Sequence, residues 1–131
     1  MIYLNRGERT RIILTSGTKL VVVKNWLGDG TWKLPGGGIH KGEQALTGLL
    51  RELREETGIQ LESGMVRELM TREYHYHGIH YPCRYFFAEL PKPIPLKRQP
   101  FEIVAAMWIE RSQLTKSNAS SEITDMLELI K

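Results

Sequence analysis

The sequence holds a single cysteine in 131 residues, Cys83, so no disulfide can close within the chain and nothing in it calls for an oxidising compartment. Aromatic residues are sparse at 8%, and the longest apolar runs fall far short of a bilayer's thickness, which excludes a spanning helix. Charge of one sign is lacking too. The 18 Lys plus Arg stand against 15 Asp plus Glu, and a net +3 is too small for the concentrated basic face that extended nucleic acid demands. It slightly favours anionic small molecules. Residues Met1 to Arg9 lack the apolar core of a signal peptide, so the cytoplasm is the expected location. What remains, 41% hydrophobic and 25% charged, is the composition of an ordinary globular protein. The length suits one domain over residues 1–131 with a single substantial core.

The order of elements can be read from periodicity. Arg11-Ile12-Ile13-Leu14 and Leu20-Val21-Val22-Val23 are β-branched apolar runs separated by the turn-like Thr15-Ser16-Gly17-Thr18. The second run is continuously apolar, as expected of a strand covered on both faces. Thr31 to Leu34 is a brief extended piece stopped by Pro35 and followed by Gly36, Gly37 and Gly38. Helix signals run from Glu43 to Thr57, where Leu46, Leu49, Leu50 and Leu53 form an amphipathic stripe and Gly58 stands at the left-handed terminator. Met65 to Tyr76 and Tyr81 to Leu90 read as strands joined through His77-Gly78. Pro91 to Pro95 reads as a surface loop or sheet edge, Glu102 to Ile109 as another strand, and Ile123, Met126, Leu127 and Ile130 as a closing helix.

The first helix carries the chemistry. Glu52, Glu55 and Glu56 sit at i, i+3 and i+4 on an arc beside the leucine stripe. Carboxylates this close repel one another, and in the last turns the helix dipole disfavours them as well. A divalent cation reverses both effects, because hard oxygen ligands on a rigid helix suit Mg²⁺ or Mn²⁺. The same residues could equally form a solvated face with Arg51 and Arg54 as partners. Gly48, on the carboxylate arc, costs roughly 1 kcal/mol in a helix interior and is expected to leave room for an approaching group. The three upstream glycines allow close approach of a ligand or metal, or simply a tight turn.

Gly37, Glu43, Arg51, Glu52, Leu53, Glu55, Glu56, Gly58 and Ile59 match every position of G-x5-E-x7-R-E-U-x-E-E-x-G-U, with U a bulky apolar residue. This stretch resembles the box of the Nudix hydrolase family, and Trp32-Lys33-Leu34-Pro35-Gly36 resembles the family's approach to it. The resemblance implies an α/β fold, an α/β/α sandwich with a mixed central sheet. It implies hydrolysis of a diphosphate linkage in a nucleoside diphosphate derivative, by metal-assisted attack of water on phosphorus. Nucleoside triphosphates and dinucleoside polyphosphates are the favoured substrates. Glu52, Glu55 and Glu56 would hold Mg²⁺ or Mn²⁺ with the carbonyl of Gly37, and Arg51 with Glu43 would orient the carboxylates. The general base would be a box glutamate or Glu102, whose alternative role is a solvated acid at a strand end.

Substrate choice is expected between Arg72 and Phe87, where tyrosine and histidine cluster. Tyr74 and Tyr76 could stack on a base while Lys33, Arg72 and Arg84 reach phosphates, although an ordinary sheet surface is the commoner fate of such a strand. Tyr76 resembles the tyrosine of family members that cleave dinucleoside polyphosphates. Tyr74 stands where ADP-ribose-cleaving members often carry proline. Two other classes compete with the hydrolase: a non-catalytic Nudix-like sensor that binds a nucleotide, and an interaction domain whose acidic helix is only a salt-bridged surface. The oligomeric state is not written in the sequence, and a homodimer stays open.

Overall fold

A computed structural model describes residues 7–26, 28–76, 78–97 and 103–130. The strands are β1 (Arg9–Ser16), β2 (Lys19–Asn25), β3 (Gly36–Gly38), β4 (Arg67–Tyr76), β5 (Ile79–Glu89) and β6 (Ile103–Glu110). The helices are α1 (Ala45–Thr57) and α2 (Ser121–Leu127), with short 3₁₀ turns at Ser63–Met65, Arg111–Gln113 and Glu128–Ile130. The strands join in the order β4-β5-β1-β2-β6, and β3 adds to β1. Among the described strands only β1 and β5 run parallel, so the sheet is mixed, with helices on both faces, as expected.

Alternation along the central strands divides the core in two. Ile12, Leu14 and Val21 pack with Ala45, Leu49 and Leu53 of α1, whereas Ile13, Leu20 and Val22 pack with Ile123 and Met126 of α2. All six strand residues are completely buried, which is why these runs are apolar without a break. Within the leucine stripe Leu49 and Leu53 are fully buried, while Leu46 and Leu50 lie at its half-buried margins.

One departure from the sequence reading positions the site. β1 pairs with β2 only at Thr15 and Ser16, and its first half turns instead to β3, with Arg9, Thr10 and Arg11 opposite Gly38, Gly37 and Gly36. The expected extended piece at Thr31 to Leu34 makes only isolated pairings, Lys33 with Val23 and Trp32 with Ala119, and the strand falls on the glycines. Glycine is required there. Gly36 has φ +140°, and a Cβ on it would stand 2.0 Å from the carbonyl oxygen of Thr10.

α1 begins at Ala45, later than expected, because Glu43 belongs to the preceding turn and accepts a 2.8 Å bond from the His40 amide. Its end is built as read. Gly58 adopts φ +78° and its amide donates to the Arg54 carbonyl, while the Lys97 amide caps the Thr57 carbonyl at 2.7 Å.

Candidate active site

α1 lies across β3 so closely that two of its carboxylates touch the glycine strand. The buried Glu56 accepts a 2.9 Å bond from the Gly36 amide, and a Cβ on Gly37 would meet Glu52 Oε2 at 2.4 Å. The glycines thus admit β1 on one side and Glu52 on the other. Glu55, one helical turn from Glu52, is the most open of the three, its side chain 41% exposed.

A single guanidinium braces the group. Arg51 donates from Nε and Nη2 to the two oxygens of Glu43 at 2.9 and 3.1 Å, and from Nη2 to the Gly38 carbonyl at 3.2 Å. Its Nη1 lies 3.4 Å from Glu55 and 3.7 Å from Glu52. Glu43 therefore holds Arg51 to the glycine strand, and Arg51 spreads its charge over the arc. Arg51, and after it the His40 amide, lowers the Glu43 carboxyl to about 2. Arg51 in turn is raised above its ordinary value, first by Glu43 and then by Glu52 and Glu55.

This bracing corrects the reading of Gly48. A Cβ there would meet Glu43 Oε1 at 3.0 Å and Ile39 at 3.5 Å, so the missing side chain makes room for Glu43 and not for a ligand.

The donor set fits a hard divalent cation. Glu52, Glu55 and Glu56 offer carboxylate oxygens, and the Gly37 carbonyl, which accepts a 3.2 Å bond from the Thr10 hydroxyl, belongs to the residue that Glu52 touches. Among the described residues no three acidic, histidine or cysteine side chains already close on one point. Mg²⁺ keeps several waters and takes the rest of its shell from one or two carboxylates and substrate phosphates.

The remaining candidates do not gather into one place. Arg84 faces α1 and pairs with Glu8 at 2.6 Å and Glu68 at 3.8 Å, beside a cavity of about 520 Å³. Arg72 and Tyr74 lie on the opposite face. Arg72 pairs with Asp125 at 3.1 Å, and Tyr74 stacks on Tyr81 and shares a 2.7 Å hydroxyl bond with Tyr85. Lys33 is held by Asp29 at 3.2 Å. Tyr76 ends β4 opposite Ile79, but its side chain, like the whole of Glu102, lies outside the described residues.

Sequence reasoning missed a polar network next to the box. Arg11, on the α2 face of β1, has its Nε 3.4 Å from Glu122, whose other oxygen accepts a 2.5 Å bond from the Tyr85 hydroxyl. Burial drives the Arg11 guanidinium down, but Glu122 and, after it, Cys83, Glu56 and Tyr85 together outweigh burial and leave Arg11 above its ordinary value. Burial and Glu122 push the Tyr85 hydroxyl far up, so it stays a donor. The signal was available as arginine at alternate positions of an otherwise apolar strand.

The NUDIX domain family model matches residues 5–129. Nudix hydrolase 6 of Arabidopsis thaliana is 38% identical over 104 residues, which are 74% of this chain and 36% of that protein. The chain thus spans about a third of that relative's length. Among solved structures, the MutT NUDIX hydrolase of Burkholderia pseudomallei superimposes with a TM-score of 0.81 at 20% identity, over 95% of this chain and 98% of that one. The NUDIX domain of Shewanella oneidensis NrtR, complexed with ADP ribose, gives 0.82 at 16% identity, over 95% and 86%. These structural likenesses establish the shared fold. With the family model matching almost end to end, and with the glycine strand, braced carboxylate arc and mixed sheet in place, the chain belongs to the NUDIX domain family.

Proposed function

We propose that this chain is a metal-dependent pyrophosphohydrolase that cleaves a diphosphate linkage in a nucleoside diphosphate derivative, with nucleoside triphosphates and dinucleoside polyphosphates as the favoured substrates. The observation that carries the reading is the arrangement of Glu52 and Glu55 around one bracing arginine, with Glu56 fixed beside them on the glycine strand. A merely solvated acidic face needs no buried Glu56 and no side-chain-free strand beneath Glu52.

Glu52, Glu55, Glu56 and the Gly37 carbonyl would hold Mg²⁺ or Mn²⁺. When bound, the ion supplies charge neutralisation on the diphosphate and a lower pKa for a coordinated water. The chain's own residues do the rest. Glu43 fixes Arg51, Arg51 orients Glu52 and Glu55, and the Gly36 amide fixes one oxygen of Glu56. Water forms a new bond to phosphorus while the bridging anhydride bond breaks. The electron pair leaves on the departing phosphate oxygen, and the water's proton passes to a carboxylate of the arc. Glu55, the most solvent-open member, is suited to receive it.

No helix among the described residues is long and apolar enough to cross a membrane, and we place the enzyme in the cytoplasm as one domain over residues 1–131.

The test is a screen of diphosphate-linked nucleotides with Mg²⁺ or Mn²⁺, with the products identified. Glu55→Gln and Glu56→Gln should each lower turnover by about 100-fold or more with the melting transition retained. Full activity in both variants, or a wild-type protein inert toward the whole panel, would overturn the assignment.

A further inference from the structure

We infer that Arg9 is a second anion-holding residue, which takes a phosphate of the nucleotide substrate other than the one placed at the carboxylate arc. The inference rests on the hydrolase reading above and concerns what that site selects. Its first support is position. Arg9 opens β1, lies opposite Gly38 on one side and Cys83 on the other, and belongs to the half of β1 that pairs with the glycine strand. Arg9 thus stands one residue along the strand from the Thr10–Gly37 pair, and although its side chain leaves the other face of β1, it is near enough for Glu52 to act on its charge.

The second support is an unanswered charge. Alternation puts Arg9 and Arg11 on the same face of the strand, about 7 Å apart, and both are half-buried. Arg11 has its counter-ion in Glu122. The Arg9 side chain makes no hydrogen bond or ion pair among the described residues, while its backbone pairs with β3 and β5. Burial first, and repulsion from Arg11 second, hold its guanidinium below the ordinary value, and attraction from Tyr81, Cys83 and, last, Glu52 only partly offsets them. A half-buried cation beside a like charge is unfavourable unless an anion joins it.

The third support is what the other cations do. Lys33, Arg72 and Arg84 are engaged with Asp29, Asp125 and Glu8, so recruiting any of them means breaking an existing pair. Arg9 breaks none. Its fork of N–H donors matches phosphate oxygens, and Tyr81, close enough on the same face to affect its charge, supplies a wall. The acidic arc wants a cation and the basic strand end wants an anion. A metal-bound polyphosphate satisfies both at once.

The experiment compares wild type, Arg9→Gln and Arg9→Lys in steady-state hydrolysis of a nucleoside triphosphate. A titration with Mg²⁺ and a methylene-bridged, uncleavable triphosphate runs alongside. Arg9→Gln should raise KM and the analogue's Kd about tenfold or more with kcat within about threefold, and Arg9→Lys should recover part of the loss. The melting temperature without nucleotide should stay unchanged or rise in Arg9→Gln, since an unpaired cation has been removed; a structural arginine would lower it. Unchanged KM and Kd in Arg9→Gln, with wild type turning over, would overturn the role of Arg9 and leave the hydrolase standing. Wild type that neither cleaves nor binds any nucleotide would bring down both.

Discussion

At the scale of single residues the site is held by one ion pair. Glu43 contributes nothing to the acidic arc itself; it fixes the guanidinium that the arc depends on, and it occupies the space left by Gly48. Its carboxyl lies at about 2 against an ordinary 4.5, so the folded state favours the charged form. For a depressed carboxylate the contribution to stability is complete above the unfolded value and disappears as pH falls through the folded one. The wild-type melting temperature should therefore fall between pH 4.5 and about 2 more steeply than that of Glu43→Gln, which lacks the pair throughout. At neutral pH the substitution should cost about 1 kcal/mol. A melting-temperature gap between the two proteins that stays constant down to the acid end would show that Glu43 stabilises by packing alone. The family resemblance implied that Glu43 and Arg51 orient the carboxylates; in the structure Arg51 bonds Glu43 and lies 3.4 Å from Glu55 and 3.7 Å from Glu52. Sequence alone could not reveal that Gly48 serves Glu43, because only the fold brings a residue five positions upstream back over the helix.

Elements were legible where periodicity was strong. The stripe of α1, its glycine terminator and the two-sided apolar strands are consequences of local pattern, and the described structure follows them. β3 was hidden for a physical reason. Three glycines have no side-chain pattern to read and low strand propensity, and they become a strand because Arg9–Arg11 offers a partner, against which no residue bulkier than glycine fits at position 36. This makes the pairing testable. A methyl group at Gly36 would stand 2.0 Å from the Thr10 carbonyl at an already left-handed φ, whereas one at Gly38 meets nothing within 4 Å. Gly36→Ala should lose about 2–4 kcal/mol of stability and Gly38→Ala within about 0.5 kcal/mol of none, measured by denaturant unfolding. Equal losses in both would mean that β3 is not held against β1 as described.

For the whole molecule, the sheet does more than support a helix. By splitting β1 between β2 and β3 it sets a carboxylate arc on the α1 side beside an arginine pair that begins the α2 face. Only the first of these was legible in the sequence, because a motif records residues near in the chain. The arginines acquire meaning when β1, β5 and α2 come together. Metal should stabilise the folded protein, since Glu52, Glu55 and Glu56 crowd like charges at i, i+3 and i+4, and Arg51 reaches two of them, Glu52 and Glu55. Metal that binds the folded state alone stabilises it by RT ln(1 + [L]/Kd), about 2.7 kcal/mol at a hundredfold excess over Kd. For a chain of this size that is roughly 8–14 °C in melting temperature. Titration with Mg²⁺ or Mn²⁺ should thus raise the transition logarithmically, Glu56→Gln should weaken the response, and Arg9→Gln should leave it intact because Arg9 meets the anion. A melting temperature indifferent to millimolar metal in the wild type would mean that Arg51 already neutralises the arc, and the acidic helix would then be a braced surface instead of a metal site.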